Sequence, residues 1–222
     1  MIPLRSTERV YSPATVTASL IAVNTVIFLY QATLSQFDLN QFVTNWGIVP
    51  DHLRMASLMT SMFLHGGWLH LLGNMLYLWV FGRNVEDLIG SGRFLVFYLL
   101  CGLASAVVHI LFNPYSRVPT IGASGAIAGV MGAYLIKFPH ARIVTLLTIF
   151  IFITTTEVPA AFLLLFWFAI QFFSGFGSLG ENAYSGGGTA WFAHIGGFIV
   201  GMLLIRLFPP KRRWRAWHMD ES

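Results

Sequence analysis

The sequence predicts an all-α polytopic membrane protein, six spanning helices with both termini on the cytoplasmic side. Three observations carry that expectation. The chain of 222 residues is 56% hydrophobic and only 10% charged, whereas a soluble domain is about a quarter charged. Its charges are clumped, which leaves uncharged runs at 10–37, 55–82, 94–116, 118–136, 158–180 and 182–205. Each run can hold the roughly 20 residues that cross a hydrocarbon core as a helix. With an internal N-terminus, eleven of the thirteen Lys and Arg fall on the cytoplasmic side, and only Arg54 and Arg117 fall outside. That asymmetry follows the retention of basic residues in the cytoplasm.

Taken in order, the first span runs from about Ala14 to Leu34. It is too long for the apolar core of a signal peptide and is expected to stay in the mature chain. The second span contains "HGGWLHLLGN", and the third contains Cys101, the single cysteine, which excludes a disulfide framework or a thiol metal site. The fourth span opens at "GASG". Next comes a 14-residue uncharged run, 143–156, reading "IVTLLTIFIFITTT" and closed by Pro159. It is short for a span, and a seventh span would export Arg206 and the 211–215 basic cluster, so it is expected to be a loop lying on or dipping into the bilayer. The fifth span is rich in aromatics (Phe162, Phe166, Trp167, Phe168, Phe172, Phe173) that suit lipid contact, packing or a lateral gate. Glycine-rich 174–188 reads as a mobile outer cap.

The tail "KRRWRAW" at 211–217 and the net charge of +4 fit anionic lipid headgroups rather than nucleic acid. One integral membrane domain, 1–222, accounts for the chain, with a core at about 14–208 and a basic cytoplasmic tail at 209–222.

Polar groups inside a bilayer are costly, so those within spans are functional candidates. His70 and Asn74, four residues apart, share one face of the second helix. Ser124 starts the fourth span and His194 lies near the outer end of the sixth. Alternating direction therefore sets four polar side chains, from three helices, at similar depth in the outer half of the membrane. Each has a bland alternative: a membrane serine bonding its own backbone, or a histidine making one interhelical bond. Gly125-x-x-x-Gly129 and Gly197-x-x-x-Gly201 let helix backbones approach closely. Such an approach brings Ser124 to His194, where an imidazole can take the hydroxyl proton of a serine nucleophile. His70, Asn74 and the Ser124 backbone N–H could then bind the oxyanion.

In order and spacing, "HGGWLHLLGNMLYLWVFGRNVEDLIG" at 65–90, "GASG" at 122–125 and "AHIGGFIVG" at 193–201 resemble the rhomboid family of intramembrane serine proteases. The resemblance implies a six-helix bundle and a Ser–His dyad without a third carboxylate. Ser124 would be the nucleophile, His194 the general base, and His70 and Asn74 the oxyanion donors, acting on transmembrane segments of other proteins without cofactor or metal. The short six-span form suggests a bacterial or archaeal plasma membrane, with the site opening to the extracytoplasmic side. By the same resemblance residues 35–57 would form the outer loop after the first span, where Arg54 matches the arginine of the family's Trp-Arg pair, but Leu53 replaces the tryptophan. Ala128 stands where many relatives carry an aromatic that stacks on the histidine, so the imidazole must be oriented from elsewhere, with Trp191 or Phe192 the nearest choices. A silent membrane-protein binder and a small transporter are the rival readings. H-E-x-x-H and an intramembrane Gly-x-Gly-Asp are both absent from the sequence.

Overall fold

A computed structural model describes residues 1–149, 152–177 and 190–211. Strand β1 (Ile2–Ser6) precedes helix α1 (Thr15–Thr33), which starts just after Pro13. Helix α2 (Gln36–Trp46) lies in the expected outer loop, with Ser35 as its cap, its hydroxyl accepting from the Asp38 N–H. A short helix, α3 (Ser57–Thr60), leads into α4 (Trp68–Tyr77). A π-helical turn at Leu78–Gly82 carries α4 without interruption into α5 (Arg83–Ile89). Gly90, at φ 89°, breaks this rod, because a left-handed residue cannot continue a helix and glycine adopts that conformation without a Cβ clash. Helix α6 (Ser91–Phe112) returns, followed by α7 (Ser124–Lys137), α8 (Ala160–Gly177) and α9 (Trp191–Leu204).

Three of these helices, α1, α6 and α8, are at least 18 residues long and apolar enough to cross a membrane. Helices α7 and α9 are shorter apolar helices. Helix α7 is the hub: every residue from Gly125 to Leu135 is buried. A helix apolar all round belongs inside a bundle, and α7 packs chiefly against α9 and α6.

The all-α expectation needs one correction. The run expected to be a loop at the bilayer forms strands β2 (Arg142–Ile149) and β3 (Phe152–Pro159), paired antiparallel with Arg142 opposite Pro159 and Ile149 opposite Phe152. Strand β1 joins the other edge, Ile2 opposite Leu146 and Ser6 opposite Ile143, giving the order β1-β2-β3. The physical reason is legible afterwards. A stretch too short to span and dense in Ile, Val and Thr suits a pleated surface as well as an interface, and the N-terminal residues supply its third strand. The sheet sits at the end of the bundle opposite Ser124. There the Ser6 hydroxyl lies 2.6 Å from the Tyr134 hydroxyl of α7.

Two buried carboxylates organise the same end. Glu86 accepts from the Val16 and Thr17 N–H groups at 2.9 and 2.8 Å and from the Thr17 and Ser91 hydroxyls, both at 2.7 Å. Helix α1 has no side-chain cap of its own, so α5 lends it one. Asp87 accepts from the Tyr11 N–H at 3.0 Å, from Ser12 and from the Lys211 ammonium at 2.8 Å. The tail residues beyond Lys211 lie outside the described residues.

Candidate active site

Ser124 is the first residue of α7. Gly122, at φ 126°, turns the chain into the helix, and its N–H donates to the Ser61 carbonyl at 2.9 Å. A Cβ on Gly122 would lie 2.8 Å from both Cε1 and Nε2 of His70, so sterics and conformation both demand glycine there. No side chain caps α7, which leaves the first-turn N–H groups and the positive end of the helix dipole beside the serine hydroxyl.

The glycine pairs close the α7–α9 interface. A Cβ on Gly197 would fall 2.1 Å from the Gly125 carbonyl oxygen, and one on Gly201 would fall 2.0 Å from the Gly129 oxygen. This backbone-to-backbone packing sets His194 Nε2 2.7 Å from Ser124 Oγ. Nδ1 of the same ring lies 2.7 Å from Gln171 Oε1 of α8. An amide oxygen only accepts, so the ring proton sits on Nδ1 and the Nε2 lone pair faces the serine hydroxyl. The Trp167 ring leans against the imidazole, tilted by 36° with 5.7 Å between centroids. Trp191 and Phe192, the neighbours considered from sequence, do not fill this role: Phe192 stacks instead on Phe112 at 4.3 Å. Ala128 is fully buried, and its Cβ would be 3.5 Å from a Cβ on Gly197. At position 128 the α7–α9 contact itself fills the space.

His70 and Asn74 flank Gly122 from α4. The Gly66 N–H donates to His70 Nδ1 at 3.3 Å, which assigns the ring proton to Nε2 on the side of Gly122. Asn74 Nδ2 is 3.0 Å from His65 Nε2. His65 is tied to α1 by a reciprocal pair, with its N–H donating to Gln31 Oε1 at 3.0 Å and its carbonyl accepting from Gln31 Nε2 at 3.2 Å. His70, Asn74, Ser124 and His194 all line one open cavity of about 670 Å³, with Met131 and Trp167 on its walls. A second, small cavity of about 30 Å³ lies behind Ser124, lined by Ser61, Ser105, His109 and Thr120 among others. That is room enough for a water, and Ser61, Ser105, His109 and Thr120 set polar groups into walls that are otherwise largely apolar.

The family model for the Rhomboid domain matches residues 52–211. The chain belongs to the rhomboid family. A stretch of 78 residues is 47% identical to the rhomboid protease GluP of Bacillus subtilis, covering 35% of this chain and 15% of that protein. Rhomboid protein 1, mitochondrial, of Saccharomyces cerevisiae is 28% identical over 81% of this chain and 52% of its own length. RHOMBOID-like protein 6, mitochondrial, of Arabidopsis thaliana is 33% identical over 78% of this chain and 50% of its own. This rhomboid thus spans about half the length of those two relatives and less of the first.

The four candidate residues read from sequence converge on one cavity in this rhomboid. Gln171 was missed, although a signal existed: it is the one amide in the apolar run 158–180, and a buried polar group needs a partner. Ser105, His109 and Thr120 were not read as site residues; the structure sets His109 Nε2 2.8 Å from Thr120 Oγ1 and lines the small cavity behind Ser124 with all three. The expected cap, 174–188, lies largely outside the described residues. Arg54 bonds Asn45 Oδ1 of α2 at 2.8 Å, so the outer loop has an anchor that does not use position 53.

Proposed function

We propose that this rhomboid is an intramembrane serine endopeptidase that cleaves transmembrane segments of other membrane proteins through a Ser124–His194 dyad. The observation that carries the reading is the 2.7 Å contact from His194 Nε2 to Ser124 Oγ at the edge of an open cavity. The site belongs to one 1–222 membrane domain, with six spans, internal termini and an extracytoplasmic opening in the plasma membrane. The long apolar helices α1, α6 and α8 and the shorter α7 and α9 support that arrangement.

The steps follow from the atoms. Ser124 Oγ attacks the scissile carbonyl carbon while its proton passes to His194 Nε2. Negative charge gathers on the carbonyl oxygen, where His70 Nε2–H, Asn74 Nδ2 and the Ser124 backbone N–H are the donors. The C–N bond then breaks, and His194 returns its proton to the leaving amine. Water attacks the acyl ester, giving its proton to His194, and the ester C–O bond breaks as His194 passes that proton to Ser124 Oγ, restoring the serine hydroxyl and the neutral base. The cavity behind Ser124 has room for that water. A helical peptide bond is shielded by its own hydrogen bonds, so the substrate must unwind locally before attack.

A silent binder would have no need of a hydrogen-bonded nucleophile and base, and a transporter would have no need of an oriented Nε2 lone pair. Labelling with a fluorophosphonate in detergent tests the reading. Wild type should label and cleave a model transmembrane substrate, and Ser124→Ala and His194→Ala should do neither. Labelling that persists in Ser124→Ala sinks the proposed nucleophile.

A further inference from the structure

We propose that Gln171 is a positioning residue for the base: its side-chain oxygen holds His194 in the tautomer and orientation the dyad needs. The inference rests on the serine-protease reading and adds a fourth helix, α8, to its machinery. Helix α8 buries only a narrow stripe, Ala160, Leu163, Leu164, Gln171 and Gly175. Those positions recur at helical spacing along one face. Gly175 marks the line of closest approach, since a Cβ there would meet the Trp191 Cβ at 3.1 Å and Ile195 at 3.3 Å. That contact, one turn beyond Gln171, sets the amide against α9, 2.7 Å from His194 Nδ1.

An aliphatic residue would fill this position at lower cost, because an amide in an apolar interior is tolerated only when hydrogen-bonded. Gln171 is 6% exposed and His194 8%, so water supplies little of that bond. The arrangement also resolves the alanine at position 128. Helix α8 supplies what an aromatic at position 128 would have given, the Trp167 ring tilted against the imidazole and the Gln171 oxygen at its edge. During attack the imidazolium keeps its Nδ1–H on the same oxygen, so no heavy atom has to move as Nε2 accepts the serine proton. A neutral amide orients the ring as a buried carboxylate would, without the cost of desolvating an anion.

The test sets hydrogen bonding against packing. Gln171→Met and Gln171→Leu keep the volume and lose the strong acceptor. Gln171→Glu keeps an acceptor at the same reach and adds charge. Fluorophosphonate labelling rate, kcat and KM on a model transmembrane substrate, and melting temperature are measured in one detergent. Labelling rate and kcat should fall at least tenfold in Met and Leu with KM within twofold, and Glu should label faster than either. If Met or Leu labels within twofold of wild type, or both exceed Glu, Gln171 only fills space and the proposal fails. Labelling that survives Ser124→Ala overturns the dyad itself, whereas Ser124-dependent labelling with an undiminished Met variant overturns only the role of Gln171. Melting temperatures identify a variant that has lost its fold, and the other two then decide the outcome.

Discussion

Gly197→Ala tests whether helix packing sets the dyad. The substitution adds one methyl group, yet its Cβ would stand 2.1 Å from the Gly125 carbonyl oxygen, where real Cβ contacts essentially never fall below 3.0 Å. The obstructing atom is backbone of the buried hub helix, so no side chain can swing away. Helices α7 and α9 must separate by about 1 Å, at an overpacking cost of about 1–3 kcal/mol. Gly125 adjoins Ser124, and Gly197 lies about 4.5 Å along α9 from His194, so little of the separation dissipates before the dyad. A 2.7 Å hydrogen bond lengthened by about 1 Å is no longer a hydrogen bond. A misplacement of that size costs roughly a hundredfold in rate. The assay is labelling rate and substrate cleavage beside thermal unfolding in detergent, with Gly92→Ala as control because nothing lies within 4 Å of a Cβ there. A Gly197→Ala protein that labels and melts like wild type refutes the reasoning.

Two further predictions concern the opposite end of the bundle. Glu86→Ala strips the borrowed cap from α1 and leaves the part-buried Val16 N–H and the buried Thr17 N–H without that acceptor, so unfolding should become easier by about 2–4 kcal/mol, while Ser124 stays reactive in the protein that remains folded; an unchanged melting temperature would refute it. Burial pushes the Asp87 carboxyl up, but hydrogen bonds from Lys211, Ser12 and the Tyr11 N–H outweigh it and leave the group below its ordinary 3.8. The stability this lends is therefore complete above about pH 4 and is lost as pH falls through the depressed value, so wild type should lose melting temperature below pH 4 more steeply than Asp87→Asn, and parallel curves would remove the carboxylate from the account.

The long apolar helices α1, α6 and α8 and the four polar residues that meet in one cavity were legible because a bilayer makes every polar group conspicuous. Ser124, His70, Asn74 and His194 stand out against apolar runs, and the glycine pairs announce which backbones touch. Helical periodicity then lets a reader set residues on faces without coordinates. The β-sheet was less legible because 142–159 carries no signal for its partner: strand pairing with residues 2–6 is a contact across some 140 positions. Gln171 was hidden for another reason. Eight residues of its helix, from Phe166 to Phe173, contain five aromatics, and hydropathy averages the amide away. The orientation of His194 was sought among its sequence neighbours, whereas the interface with α8 supplies it.

That location has a mechanical consequence. Each nitrogen of the His194 ring is held by a different helix, Nε2 by α7 through Ser124 and Nδ1 by α8 through Gln171. The two supports are not equally firm. The α7–α9 contact is backbone on backbone at paired glycines, and such contacts have no side-chain slack to absorb displacement. Helix α8 holds on by one stripe of buried residues, and Phe162, Phe166 and Phe173 on its remaining surface are 51–73% exposed. A displacement of α8 would therefore leave Ser124 and His194 adjacent while removing the acceptor that fixes the base. Substitutions that loosen α8 should lower proton transfer before they alter the nucleophile's position, and substitutions at Gly197 or Gly201 should alter both together.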